Sequence, residues 1–179
     1  IDSKGVWLTA SEMAFCRAEG ALAGWSNMGG SAKDLYEEGV KLSFEQWGAG
    51  SATAYLADNT STEKNYVDPI SEYGGDVSAV SNITIKWDDS ATDEQKMERL
   101  ITQKWIAMFP NGQEGWSEIR RTGYPKVFPL AQSTDYSIQV ANRIPFDIDE
   151  ATNNKANYIK AVQLLKGNDD YATKMWWQR

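Results

Sequence analysis

Two helix-opening signatures near the start of the chain limit its architecture more than any other feature. "TASEMAFCRAEGALAGW" begins at Thr9 and carries Glu12 three residues on. In that spacing a hydroxyl and a carboxylate together satisfy the free amides of a first helical turn. "SAKDLYEEGVKLSFEQWG" repeats the pattern with Ser31 and Asp34. Gly24 and Gly48 mark the far ends of the two helices. The first helix carries Ala14, Ala18, Ala21 and Trp25 at helical spacing, and a stripe of alanines lets a neighbouring helix approach closely. The second presents Tyr36, Val40, Phe44 and Trp47. Joined by "SNMGG", the pair forms an antiparallel hairpin, the unit of tetratricopeptide-like solenoids.

Three further helices follow. "TDEQKMERLITQKWIAMF" places Met97, Leu100, Ile101, Trp105 and Met108 on one face, with Asp93 and Glu94 in the first turn and Pro110 as its stop. A short helix over about 113–121 turns Trp116 and Ile119 one way, and Gly123 caps it. The last lies in "NNKANYIKAVQLLKG", with Tyr158, Val162 and Leu165 inward and Gly167 as its stop. Residues 49–90 differ: they are rich in Gly, Ser, Asn and Asp, with a short helical candidate at 51–57 and one strand, "ITIKW". Irregular connections of this length tend to be functional. The expected fold is mainly α, built of tetratricopeptide-like helix pairs with long irregular loops and a few short strands.

Composition removes several function classes. The chain has 179 residues, 41% hydrophobic and 24% charged, which suits a globular protein. Net charge is −7 without a lysine and arginine stripe, so nucleic acid and anionic lipid are poor partners. Histidine is absent, which excludes His-based triads and most zinc and copper sites. Cys16 is the one cysteine, so no internal disulfide forms, and its alanine-rich helix predicts a small buried hydrophobe. Asp147, Asp149 and Glu150 do not match an EF-hand loop and read as a solvated helix N-terminus. Neither metal nor cofactor is expected. No apolar run is long enough to cross a bilayer, and "IDSKGVWLTAS" lacks the regions of a signal peptide, so a mature piece or a fragment is expected.

The stretch "FPNGQEGWSEIRRTGYP", residues 109–125, raises a sharper question. Glu118, Arg120 and Arg121 have the chemistry of a catalytic group, but no histidine or glycine-rich loop completes them. Planar guanidinium groups pair well with carboxylates between packed helices, so Trp116, Arg120, Arg121 and Tyr124 read as a structural joint. Trp25, Trp47, Trp105 and Trp116 fall on helical faces and are expected in the core. Trp87 is open between a core and a ligand-stacking role. Tyr66 and Tyr73, flanked by Asp, Glu and Gly, are expected on exposed loops. Sugar rings stack their C–H faces on aromatics while amides and carboxylates bond their hydroxyls, so Trp87, Tyr73 and Tyr66 are the candidate ligand contacts.

"ERLITQKWIAMFPNGQEGWSEIRRTGYPKVFPL" resembles the C-terminal region of the SusD/RagB-like outer-membrane lipoproteins of Bacteroidetes. "EMAFCRAEGALAGW", "AKDLYEEGVKLSFEQWG", "NRIPF" and "MWWQR" fall in that family's order, so the likeness runs from about Leu8 to Trp177. It implies a SusD-like α/α superhelix and a non-catalytic protein that binds oligosaccharides or other nutrients at the cell surface. It further implies a SusC-type TonB-dependent transporter as partner, and a lipid anchor on an N-terminal cysteine. The family's N-terminal half is not in this sequence, and Cys16 lies mid-helix, where it cannot replace the lipidated cysteine. Residues 1–179 are thus expected to be the C-terminal part of a single SusD-like domain whose missing half is a partner. Gly20 and Gly115 stand where similar sequences often carry alanine, a local helix cost of roughly 1 kcal/mol each. Two rival readings are a glycoside hydrolase using paired carboxylates and a helical scaffold for protein partners.

Overall fold

A computed structural model describes residues 6–70, 75–128 and 140–178. Thr9 accepts from the Glu12 amide at 3.0 Å and opens α1 (Ala10–Leu22). Ser31 and Asp34 close a reciprocal capping box on α2 (Ala32–Trp47), which Gly48 ends at φ 63°. The insertion contains α3 (Thr53–Ala57). A box the sequence reading did not use, Thr92 with Gln95, starts α4 (Asp93–Ala107). Asn111 caps α5 (Gly112–Thr122), and Gly123 at φ 80° ends it. Asp147 caps α6 (Ile148–Asn153) by accepting from the Asp149 amide, and α7 (Lys155–Leu165) follows and stops at Lys166.

The core lies where α1, α2 and α4 meet. Phe15, Leu35, Tyr36, Leu100 and Ile101 are fully buried there, each contributing about 1.5–3 kcal/mol through apolar burial. Close approach of α1 and α2 depends on Gly39, because a Cβ there would stand 2.8–2.9 Å from the Phe15 ring. The Ser11 hydroxyl donates to the Gly39 carbonyl at 2.7 Å across the same seam. Phe15 meets Tyr36 edge-on at 6.1 Å, and Tyr36 packs on Trp87 at 5.3 Å.

Several expectations change. Trp25, Trp47 and Trp105 are exposed. Trp25 lies beyond the end of α1 and Trp47 is the last residue of α2, so the periodicity that assigns each a core face stops at or before it. Trp105 instead leans on α5, where Gly115 has no side chain: a Cβ there would stand 2.9 Å from the indole nitrogen. Cys16 is exposed rather than buried. "ITIKW" is not a strand, and among the described residues the one β contact is an antiparallel bridge between Tyr66 and Val77. Helix side chains hold this segment instead: the Tyr36 hydroxyl donates to Ile85 O at 2.6 Å and Arg99 Nε to Thr84 O at 2.9 Å. The middle of α4 is covered on its polar side as well, with Glu98, Arg99 and Gln103 buried under the insertion and Lys104 buried against α5. No helix among the described residues is long and apolar enough to cross a membrane.

Candidate functional site

The insertion folds back against α4 and leaves a cleft of about 410 Å³ between itself, α4 and the chain after Pro125. Glu63 builds the turn-back by accepting from the Val80 and Ser81 amides at 2.7 and 2.8 Å. Ser81 in turn donates its hydroxyl to Glu98 at 2.6 Å, and the other Glu98 oxygen meets Lys126 at 3.0 Å. One buried carboxylate thus ties the insertion to the segment beyond α5. Across the cleft, the Tyr55 hydroxyl donates to Gln103 Oε1 at 3.0 Å, and the Tyr55 ring is steadied by Phe44 at 5.2 Å. Ile83, Ile85, Trp105, Ile106 and Phe128 supply apolar walls. The mixture can receive a ring that is apolar on its faces and hydroxylated on its rim. Both carboxylates already serve as structural acceptors.

The expected contact residues are distributed unevenly around this cleft. Trp87 is only 7% exposed, packed on Tyr36 with its indole N–H donating to Asp89 at 3.0 Å. Its role as a ligand platform is therefore corrected: once Tyr36 and Arg99 anchor residues 84 and 85, the Trp87 side chain two residues on is drawn into the core. Tyr66 is exposed, and its ring lies 6.2 Å from Phe128, a residue of the cleft wall. Tyr73 lies outside the described residues. Tyr55, Gln103 and Lys126 were missed. The short helix around Tyr55 was a usable signal, whereas nothing local singles out Gln103 or Lys126.

The joint stands beside the cleft and holds its wall. Lys104 and Glu118, both buried, pair at 3.0 Å. Arg121 reaches Glu118 at 2.6 Å and grips Glu19 of α1 through two bonds of 2.5 and 2.8 Å. The three helices α1, α4 and α5 are thereby linked by alternating charges. Burial opposes the charge on Lys104, and the Glu118 carboxylate with the Cys16 sulfur outweighs it, so its ammonium is held above the usual lysine range. The hydrogen bonds it donates to Glu19, against burial, likewise raise Arg121 further. Arg120 makes no carboxylate pair in this set. It stacks over Trp116 at 3.6 Å and Trp177 at 4.9 Å and donates to Asn142 O at 3.1 Å. Trp116 donates to Ala141 O at 2.6 Å. The Tyr124 amide donates to Thr122 Oγ1 at 3.0 Å and its hydroxyl to Glu94 at 2.9 Å, leading the chain into Pro125 at the cleft edge. A second hollow, about 640 Å³ and almost wholly apolar, lies behind Trp105 against Phe109, Trp116 and Ile119.

Residues 1–178 match the family described as "Susd and RagB outer membrane lipoprotein". Among solved structures, a SusD-like protein from Bacteroides thetaiotaomicron is 48% identical with a TM-score of 0.85, over 94% of this chain and 36% of that one. A chitin-binding SusD homolog from Flavobacterium johnsoniae is 46% identical with a TM-score of 0.86, over 96% of this chain and 36% of its own. A SusD homolog from Bacteroides uniformis is 45% identical with a TM-score of 0.88, over 97% and 37%. The chain therefore spans little more than a third of these relatives. No curated protein matches it.

Proposed function

This chain belongs to the SusD/RagB family of outer-membrane lipoproteins, and from that membership we propose that it is the C-terminal part of a cell-surface protein that captures oligosaccharide. The protein makes and breaks no bond. It passes its ligand to a SusC-type TonB-dependent transporter and is held at the outer membrane by a lipid on its N-terminal half. The α1–α2 hairpin serves as one tetratricopeptide-like unit of an α/α superhelix that the N-terminal half completes.

The similarity to a chitin-binding relative at 46% identity carries the choice of ligand class. The cleft chemistry agrees with it: Tyr66 and Phe128 offer stacking surfaces, and Tyr55, Gln103 and Lys126 offer groups for hydroxyls. The test is a calorimetric titration of the full-length protein with a panel of oligosaccharides, chito-oligosaccharides first. Tyr66→Ala and Tyr73→Ala are expected to weaken binding by about 1–3 kcal/mol each, through loss of an apolar stacking face. Wild-type affinity in both variants would move the site out of residues 49–90. Shortened sugars after incubation with pure protein would overturn the non-catalytic reading.

A further inference from the structure

The lobe formed by α6, α7 and the tail carries an arrangement that sugar capture does not use. α7 has no buried residue. Its inner side carries Tyr158, Ala161, Val162 and Leu165, all half-buried, while Lys155, Ile159, Lys160 and Leu164 face outward. Leu164 is 83% exposed, and Trp176 of the tail is 92% exposed. Between them opens a hollow of about 710 Å³ floored by Phe146, Leu165 and Met175 and rimmed by Lys166 and Lys174. From 154 to 168 the sequence contains no acid, in a chain whose net charge is −7. The nearest acids downstream are occupied: Asp169 accepts from Arg143, the Phe146 amide and Tyr158, and Asp170 from the Ala172 and Thr173 amides. Upstream, Asp147 caps α6 and Glu150 accepts from Asn154. Lys155, Lys160 and Lys166 make no ion pair among the described residues.

We propose that the outward face of α7, with Trp176, docks on a phosphate-bearing anionic lipid surface. Leucine and tryptophan insert at the interface between headgroup and acyl chain, and the lysines meet the phosphates, the division of labour of an interfacial helix. The family's place at the outer membrane supplies such a surface, and charge complementarity selects it over a neutral apolar partner.

Full-length protein made without its lipid is floated with phosphatidylglycerol vesicles and, in parallel, with phosphatidylcholine vesicles. Flotation with the anionic vesicles only, weakening as salt rises, is expected. Lys160→Ala/Lys166→Ala lowers partitioning by about 10-fold or more, Leu164→Ala/Trp176→Ala lowers it also, and Lys33→Ala/Lys41→Ala on α2 leaves it unchanged. Hydrogen exchange across 159–166 and 173–178 is fast in the free protein and slows on the vesicles. Equal recovery with both vesicle types, no flotation with either, or unchanged flotation of the α7 variants overturns the proposal. So does slow exchange of this face without vesicles, which would show that the rest of the chain covers it. Sugar titrations of the same variants stay at wild-type affinity, so this result and the capture result are read independently.

Discussion

At the scale of single residues, Glu118 matters more than either cation it holds. Glu118→Ala leaves the buried Lys104 ammonium without a carboxylate and is expected to cost about 3–5 kcal/mol in urea unfolding. Arg121→Ala costs less, about 1–2 kcal/mol, because the Arg121 side chain is 40% exposed and Glu118 keeps Lys104. A Glu118→Ala variant as stable as the wild type would show that the charge chain contributes nothing. The sign with pH is fixed by the raised pKa of Lys104. Its contribution is fully present below the ordinary lysine value of about 10.4 and is lost as pH rises through the folded-state value. Burial raises the Tyr36 phenol as well, which acts in the same alkaline direction. The informative measurement is therefore the difference between wild type and Lys104→Met, which should shrink as pH is raised from neutrality to strongly alkaline values. A constant difference would contradict the coupling.

At the scale of elements, two glycines inside helices separate propensity from packing. In an isolated helix Gly→Ala gains roughly 1 kcal/mol. At Gly39 the new methyl would meet the face of Phe15, a fully buried ring with no room to retreat. Gly39→Ala is thus expected to lose about 1–3 kcal/mol through overpacking. At Gly115 the methyl meets the indole of Trp105, which is exposed on its other side and free to shift, so Gly115→Ala is expected to be neutral or stabilising. Thermal melts of the two variants should move in different directions, and a stabilised Gly39→Ala would mean that α1 and α2 can part without penalty. Both glycines are visible in the sequence, but only the facing ring decides the sign.

At the scale of the whole molecule, the exposed aromatics are the dominant fact. Trp7, Trp25 and Phe109 lie largely in solvent, and the apolar hollow behind Trp105 stands open. Patches of this size normally meet another surface. The 179 residues alone are expected to self-associate in sedimentation and to bind an apolar dye, and the N-terminal half to suppress both. A monomeric, dye-free chain with a sharp melt would refute this. Net charge misleads at the same scale: −7 argues against anionic partners, yet one lobe gathers Lys155, Lys160 and Lys166 without an ion pair among the described residues, while Asp147, Glu150, Asp169 and Asp170 bond to neighbours within it.

Local chain chemistry alone decided where α1 and α2 begin and where α2 and α5 end, whereas α3 and α7 start without a side-chain cap and α7 stops at Lys166, one residue before the expected Gly167. Thr9, Ser31, Gly48 and Gly123 act within one turn of their own position, so their capping roles follow from spacing and need no tertiary partner. The short 109–125 segment invited the reading of a joint for a related reason, since few chemistries fit two adjacent arginines between a helix face and a Gly-Tyr-Pro turn. Burial was legible only in part: Ala14, Ala18, Tyr36, Val40, Leu100 and Ile101 are buried as their spacing predicts, and other residues are not. Trp25 and Trp47 are apolar at helical spacing yet exposed, and Trp87 sits in an irregular loop yet packs in the core. Glu98, Arg99 and Gln103 of α4 are buried because the insertion lies over them and Lys104 because it pairs with Glu118 of α5, and the cleft exists only because Glu63 and Glu98 fold that insertion back. Each outcome depends on contacts between residues distant in the chain. Periodicity reports which way a side chain points along its own helix, and only the assembled structure decides what stands opposite.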